Sequence, residues 1–384
     1  MAARTWTVIG DAASPRHEAW EIGPQDAPDV PSQDWAVRLR TLHGGRREGV
    51  QLLELNNGSL SLQIVPTRGM GIWKGNCRGV PLGWNAPILG PVHPQFVHLS
   101  DRNGLGWLTG FDEWLCRCGL VSNGPPGNDR GTPLTLHGRI TNSPAHQLDV
   151  GTAADGSIFA RGIVEEGGLF LGRLRLTSTI STKVASQEFL VHDRVENLSA
   201  QPAEMQLLYH WNCGEPLLEE GSRVYVPFRE MAPHTPHAAK ALDHWSVYGP
   251  PTPGFPEEVF DFVPLHDGGW TQVLLTNSSQ SLGLVLAWNT DELPYFVVWK
   301  NTGAREDGYV TGLEPSTNFP YFKGHERHHG RVIQLAPGGV WQATLRIRIC
   351  LSAAEVSAAA ATISRLQGGV PGVVHRSPLW GPNA

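Results

Sequence analysis

Short segments with strand character, separated by turns, occupy most of the sequence after residue 170 and limit what the chain can fold into. They are rich in β-branched and aromatic residues, which favour strands. Residues 344–349 alternate strictly between polar and apolar side chains, and this period of two is typical of a strand with one buried face. The predicted strands are residues 170–182, 188–195, 205–210, 224–228, 272–276, 282–288, 295–300, 309–313 and 341–351.

Two further local patterns bear on the fold. Residues 50–55 and 60–65 are apolar runs on either side of Asn56-Asn57-Gly58, and together they predict a hairpin. Residues 352–366 are rich in alanine, begin at a candidate N-cap serine and are followed by two glycines, so they predict one solid helix.

The region between these patterns is irregular. Residues 66–136 are dense in Gly, Pro, Trp and Asn without a sustained period, so we expect functional loops there, with at most one short helix over residues 107–120. Many strands and one helix predict an all-β fold, a large antiparallel β-sandwich with few short helices. We expect residues 1–35 to form an N-terminal arm and residues 36–384 to form a single sandwich domain.

Composition excludes several classes of protein. A net charge of −6 and a pI near 6.2 argue against a nucleic-acid partner. No apolar stretch reaches the roughly 18 residues of a membrane helix, and we expect no export signal at the N-terminus. Five scattered cysteines suit reduced thiols, so we expect a cytoplasmic protein. The partner expected is a small molecule, and the oligomeric state stays open.

Three titratable residues stand beside Gly- and Pro-rich segments, where sandwich proteins place their chemistry. His137 begins the segment His-Gly-Arg-Ile-Thr-Asn, His210 ends a predicted strand, and Glu314 ends another in Gly-Leu-Glu-Pro. The sequence has no complete dinucleotide or phosphate-binding glycine motif, and the glycines near residues 70 and 105 are interpreted as loop residues.

These segments resemble the aldose 1-epimerases of the galactose mutarotase-like superfamily. Residues 137–142 resemble that family's G-R-x-x-N-R-I segment, residues 207–212 its run ending in His-x-Tyr-Phe-Asn, and residues 312–315 its late glutamate segment. The resemblance covers about residues 50–350 and implies a mutarotase-like supersandwich. It also implies an acid–base isomerase without a cofactor, in which His210 is the catalytic acid and Glu314 the base.

The same resemblance guides the expected substrate contacts. It implies that Arg139 binds sugar hydroxyls, although the family's second arginine is replaced by Ser143. We expect Arg68 and His137 to bind hydroxyls or a developing oxyanion, and Asp112 and Lys300 are further candidates. Trp211 and Trp299 are interpreted either as flat faces for the sugar or as core aromatics.

Three alternatives stay open at this point. The same groups would also serve an isomerase or lyase that enolises a keto-sugar, with His137 and Arg68 holding the enediolate. A non-catalytic sugar-binding protein would need the arginines and tryptophans but no base at position 314. A metal site built from His325, His328 and His329 is the third alternative, against a solvated loop.

Overall fold

The predicted strands assemble into two large sheets that face each other. The computed structural model of the chain describes residues 3–10, 19–30 and 34–382. Strands account for 44% and helices for 14%, so the all-β prediction is confirmed.

The strands of the first half of the described chain are β1 (Arg4–Ile9), β2 (Ala19–Ile22), β3 (Ala36–Thr41), β4 (Gln51–Asn56), β5 (Leu60–Val65), β6 (Gly71–Cys77), β7 (Val80–Leu82), β8 (Leu115–Leu120), β9 (Gly127–Asp129), β10 (Thr132–Leu134), β11 (Gln147–Thr152), β12 (Ser157–Gly167), β13 (Arg173–Lys183) and β14 (Glu188–Asn197).

Those of the second half are β15 (Ala203–Cys213), β16 (Arg223–Tyr225), β17 (Phe228–Pro233), β18 (Glu258–Pro264), β19 (Trp270–Thr276), β20 (Gly283–Asn289), β21 (Tyr295–Thr302), β22 (Tyr309–Ser316), β23 (Ile333–Leu335), β24 (Val340–Cys350) and β25 (Val373–Val374). The α-helices are α1 (Asp101–Gly104), α2 (Lys323–His328) and α3 (Ala353–Gln367).

The two sheets differ in size. The small sheet has nine strands in the order β1-β11-β12-β13-β14-β24-β20-β19-β16. The large sheet has fourteen, in the order β2-β3-β4-β5-β6-β8-β15-β22-β21-β18-β17-β25, with β7 beside β6 and β23 beside β15. Pairing within both is antiparallel except between β17 and β25, while β9 and β10 form a separate hairpin.

The core lies between the sheets because side chains alternate along each strand. Trp114, just before β8 of the large sheet, packs against Phe189 of the small sheet, with ring centroids 5.7 Å apart. Trp288 of the small sheet stacks on Phe296 of the large sheet at 5.4 Å. These contacts belong to one continuous apolar cluster, which confirms the sandwich.

The helix and hairpin predictions are confirmed. Helix α3 has Ser352 as its N-cap, whose hydroxyl accepts from the backbone N–H of Glu355, and it ends at Gly368 with φ 64°. Strands β4 and β5 form the predicted hairpin.

The expected helix over residues 107–120 is wrong in its second half. Residues 115–120 form β8, while the helical turns lie earlier, at α1 and in a 3₁₀ turn at Gly106–Gly110. Every residue of β8 is buried, because the strand is covered on both faces. A strand of this kind has no polar–apolar alternation, which explains why its sequence gave no strand signal.

The N-terminal segment contributes strands to both sheets. In the described part, β1 pairs with β11 at the edge of the small sheet and β2 with β3 at the edge of the large sheet. Residues 1–2, 11–18 and 31–33 of the expected arm lie outside the described residues. The boundary at residue 36 stays a prediction.

A buried ion pair joins the sheets. The Arg117 guanidinium of β8 is fully buried and donates to both carboxylate oxygens of Asp193 on β14. It also donates to the hydroxyl of Ser178 and to the carbonyl of Met70, each at 2.8 Å. Because each charge is paired and hydrogen-bonded, burial of this arginine is tolerated.

Asp193→Ala should therefore lower the free energy of unfolding by about 3–5 kcal/mol, because it leaves the Arg117 charge buried without a partner. Chemical denaturation followed by tryptophan fluorescence measures the change. Asp243→Ala is the matched control, because its ion pair with Arg376 is highly exposed and should contribute little. Equal losses for the two variants would contradict the assignment.

Candidate active site

Two neighbouring strands of the large sheet, β15 and β22, carry His210 and Glu314. Trp211 pairs with Leu313, and the same register holds at both ends of the strand pair. It places His210 directly opposite Glu314. Opposed residues of antiparallel strands have Cβ atoms about 4.5–5.5 Å apart on the same face, so the two side chains meet.

The alternation of β15 separates the core from this site. Tyr209 and Trp211 point into the core between the sheets, so His210 points to the other side, which we call the outer face of the large sheet. Leu208, Cys116 and Cys118 form an apolar floor there. The prediction that Trp211 contacts the sugar is not supported, since this ring packs on Trp114 and Phe189.

A row of residues in register crosses the outer face at this level. Six adjacent strands each contribute one member, and the members are Cys116, His210, Glu314, Val297, Asp261 and Ala232.

His210 and Glu314 form a close, almost dry pair. The imidazole Nε2 lies 3.1 Å from the carboxyl Oε1, and only 5% and 4% of the two side chains are exposed. Burial, aided by the proximity of His137, lowers the pKa of His210 to about 3. Burial, with the negative charges of Asp261 and Glu257, raises the pKa of Glu314 well above its ordinary value. Burial thus favours the neutral form of both groups, with the proton on the Glu314 carboxyl.

Gly312 has no side chain, and the space that a side chain would fill there is occupied by His210 and Glu314. A Cβ atom at this position would lie 2.4 Å from Glu314 Oε1 and 2.9 Å from His210 Cε1. The glycine of Gly-Leu-Glu-Pro is therefore required by the close approach of these two side chains.

His137 completes the polar part of the site. Its ring meets that of His210 edge to face, with centroids 5.7 Å apart. Nδ1 lies 2.8 Å from the carbonyl oxygen of Asn123, and since a carbonyl only accepts, Nδ1 carries the proton and Nε2 is an acceptor. Burial lowers the pKa of His137 to about 4. Its backbone has φ 56°, a left-handed conformation that is rare outside glycine and occurs at functional sites.

Three aromatic rings surround His210. The centroids of Phe111, Trp299 and Trp107 lie 5.2, 5.4 and 6.4 Å from that of the imidazole. Trp107 and Phe111 also contact each other at 4.6 Å. Such rings offer flat apolar surface to the C–H groups of a sugar.

Arg68, predicted to bind substrate, instead supports the segment that carries these rings. It is 1% exposed and donates to the Glu113 carboxylate, to Asn142 Oδ1 and to the carbonyls of Val92 and Gly110. Since each of its three nitrogens already has an acceptor, Arg68 fixes the loop that ends in Phe111.

Asp112 and Lys300 also lie apart from the pair. Asp112 accepts a hydrogen bond from Trp73 Nε1 at 2.8 Å, and burial together with the charge of Glu113 raises its pKa to about 7. Lys300 follows Trp299 on β21 and so points to the opposite face. There it donates to the Val247 carbonyl at 2.9 Å.

Arg139 lies on the far side of the 137–139 segment. Its side chain is exposed and lines a cavity of about 450 Å³ with Ser122, Thr135 and Glu166. Among the predicted site residues, the structure thus brings together His137, His210 and Glu314, and it places Arg68, Asp112, Arg139 and Lys300 elsewhere.

The histidines at 325–329 lie on and just after α2. His325 Nε2 is 2.6 Å from the Trp380 carbonyl. Within the described ranges, no group of three or more His, Cys, Asp or Glu side chains is arranged to hold a metal ion. The described helices also include none that is long and apolar enough to cross a membrane, and all five cysteines are buried free thiols.

Several site residues were not predicted from sequence. Cys116 and Cys118 lie in the fully buried strand β8, where alternation is absent. Trp107 and Phe111 lie in an irregular loop, and no sequence signal marks them. Gly312 belongs to the Gly-Leu-Glu-Pro motif, and a glycine two residues before a carboxyl at a strand end already suggests a close approach.

The fold and the paired histidine and glutamate define a galactose mutarotase-like protein. The chain belongs to the family described as a domain of unknown function (DUF4432), whose model matches residues 47–349. No curated protein matches the chain.

Solved structures agree with this assignment. The crystal structure of a "putative aldose 1-epimerase" from Klebsiella pneumoniae has 33% sequence identity and a TM-score of 0.94, over 98% of this chain and 99% of that chain. A galactose mutarotase-like protein from Clostridium acetobutylicum has 14% identity and a TM-score of 0.57, over 83% and 99%. The second likeness is one of fold alone.

Gly312→Ala should disturb the site without unfolding the protein. The added methyl meets side-chain atoms of Glu314 and His210, with no backbone atom as close, so the carboxyl must leave its position beside His210. We expect a loss of any activity that uses the pair by at least about tenfold, with a near-native thermal melt. Gly303→Ala, whose Cβ would have no neighbour closer than 3.7 Å, is the control. Full activity in Gly312→Ala would show that the pair is not the reacting centre.

Proposed function

We propose that this protein is a carbohydrate isomerase of the aldose 1-epimerase type, which interconverts sugar anomers by acid–base ring opening. The observation that carries the proposal is the 3.1 Å contact between His210 Nε2 and Glu314 Oε1 in a nearly dry, aromatic-lined site. The two oxygens that exchange protons in this reaction, O1 and O5, are both bonded to C1. Two groups that touch each other are therefore able to serve both oxygens at once.

In the proposed reaction, Glu314 as base takes the proton of the C1 hydroxyl while His210 as acid protonates the ring oxygen. The open aldehyde turns about the C1–C2 bond, and the ring recloses with the two roles reversed. Because burial favours the protonated form of Glu314, this sense of the reaction begins after the carboxyl proton has passed to His210. The same neutral pair also suits the reverse sense, with Glu314 as the acid.

A positioned acid and a positioned base together supply a large rate enhancement. Each positioned acid or base contributes about 10²–10⁴, so two supply up to about 10⁸, or roughly 11 kcal/mol. The neutral His137, with Nε2 as acceptor, would receive a hydrogen bond from a sugar hydroxyl, and Trp107 and Trp299 would cover the ring's C–H groups. No cofactor is needed in this scheme. A cytoplasmic location stays a prediction.

Replacement of the carboxyl separates catalysis from binding. Glu314→Gln keeps size and a hydrogen-bond acceptor but takes no proton at neutral pH. We expect the anomer exchange rate, measured by magnetisation-transfer NMR on a panel of aldoses, to fall by about 10²–10⁴ with little change in sugar affinity. His210→Asn should behave in the same way.

The matched control is Glu166→Gln, since Glu166 is a buried carboxyl with a raised pKa that lies outside the site. It should keep the rate within about twofold. A Glu314→Gln variant that exchanges anomers at the wild-type rate would make the glutamate structural and end the proposed mechanism. Loss of activity in both variants would point to a general effect of removing a buried carboxyl.

The pKa values give a further prediction. Since the pKa of His210 is lowered to about 3, its imidazole takes up no proton as the pH falls from 7 to about 4. kcat/KM should therefore show no acid limb from this imidazole over the range, where an ordinary histidine would titrate near 6.5. Tryptophan fluorescence verifies that the protein stays folded at each pH. An acid limb with a midpoint near 6.5 would contradict the assignment.

A further inference from the structure

A second polar cluster lies on the outer face of the large sheet, in the same row of residues as the His210–Glu314 pair. Asp261 of β18 is two strands from Glu314, with Val297 of β21 between them. Neighbouring strands are about 4.8 Å apart, so the backbones at the two carboxyl groups are separated by about 10 Å. The two clusters therefore share one face and one level of the sheet.

Asp261 is fully buried and holds His234. The imidazole Nδ1 lies 3.0 and 2.9 Å from the two carboxylate oxygens. The ring stacks on Tyr321 with centroids 4.0 Å apart and planes within 4°, and the Tyr321 hydroxyl donates to the same carboxylate at 2.7 Å. The position of His234 is thus fixed from two sides.

The other ring nitrogen of His234, Nε2, is available to bind a ligand. The side chain is 17% exposed, and Nε2 forms no hydrogen bond with any residue of the described ranges. A ring nitrogen held by a buried carboxylate, with its partner nitrogen open, is the arrangement by which proteins orient a histidine toward a ligand.

The surrounding charges favour a proton on Nε2. Burial alone would lower the pKa of His234, but the charge of Asp261 and its hydrogen bond, together with the charges of Glu257 and Glu326, raise it. The nearby cation Arg331 is held by Glu326 through two hydrogen bonds. These contacts favour the imidazolium form, in which Nε2 is a charged donor that forms stronger hydrogen bonds than a neutral one.

Glu257 connects the two clusters. Its carboxylate accepts from Trp299 Nε1 at 2.8 Å, and Trp299 lies against His210. The charge of Glu257 also acts on both Glu314 and His234. Glu257 is thus close enough to act on both the His210–Glu314 pair and His234.

We propose that His234 is a specificity-determining residue, which donates a hydrogen bond from Nε2 to a sugar hydroxyl on the ring edge remote from C1, at C3 or C4. The inference rests on the proposed function, in which the His210–Glu314 pair receives C1. With C1 there, the distance that a sugar must span to reach His234 is the backbone separation of about 10 Å, shortened by the side chains at each end.

The test compares binding of D-glucose and D-galactose with that of their 3-deoxy and 4-deoxy analogues, by calorimetry on Glu314→Gln protein with and without His234→Ala. With His234 present, one deoxy analogue should bind about 10-fold to 100-fold more weakly than its parent. In His234→Ala the parent and that analogue should bind alike. A merely structural role would weaken parent and analogue equally and keep their ratio, and this result would overturn the proposal, as would failure of both hexoses to bind.

His325→Ala is the matched control, because His325 contacts the same Tyr321 ring from another side, with centroids 5.8 Å apart. It should retain the full difference between parent and analogue, and equal loss in both histidine variants would overturn the proposal.

Anomer exchange by the wild-type protein is measured separately. Its absence would contradict the proposed function, while exchange without a His234-dependent ratio would contradict this inference alone.

Discussion

The pairing of β15 with β22 in one register is the constraint on which the site depends. A slip of one residue would turn His210 into the core and bring Tyr209 to the outer face. The slip is prevented by apolar burial, since Tyr209 and Trp211 belong to the core between the sheets. The burial that stabilises the sandwich therefore also aligns the histidine with the glutamate, and no separate device is needed to bring them together.

Charge is excluded from the immediate site, and the charged residues nearby serve to position it. Arg68 is bound by four acceptors below the loop that carries Phe111, and Lys300 is held on the opposite face of its strand. Burial keeps His137 and His210 neutral at ordinary pH. A proton that moves within such a site meets few mobile charges or waters, and fixed groups of this kind need little reorganisation during reaction.

The fold was largely predictable because strands with one buried face show polar–apolar alternation in the sequence. The start of α3 is also visible in the sequence, because Ser352 is a typical N-cap residue. Strand β8 was not predictable, since burial on both faces removes alternation. His210 and Glu314 were found from strand ends and from the family resemblance. Lys300 was misplaced for a reason visible in the sequence: Trp299 and Lys300 are adjacent on one strand, so they cannot both face the same site.

Other parts of the site depend on contacts between distant residues. From the sequence, Arg68 is interpreted as a free cation in a loop. In the structure, Glu113, Asn142 and two backbone carbonyls accept hydrogen bonds from it. Asp261 and His234 come together only because β17 and β18 are paired. Such arrangements follow from the topology of the sheet, and local patterns do not contain them.

The same contacts bear on the choice between anomer exchange and enolisation of a keto-sugar. Enolisation removes a proton from carbon and builds negative charge on an oxygen, which a free cation would stabilise. Arg68, the cation considered for that role, is committed to the loop, and Arg139 lies in a separate cavity. Ring opening needs no such charge, because the proton lost by O1 and the proton gained by O5 keep the sugar neutral. A neutral pair in a dry, aromatic site suits the reaction in which no net charge develops, and this favours anomer exchange.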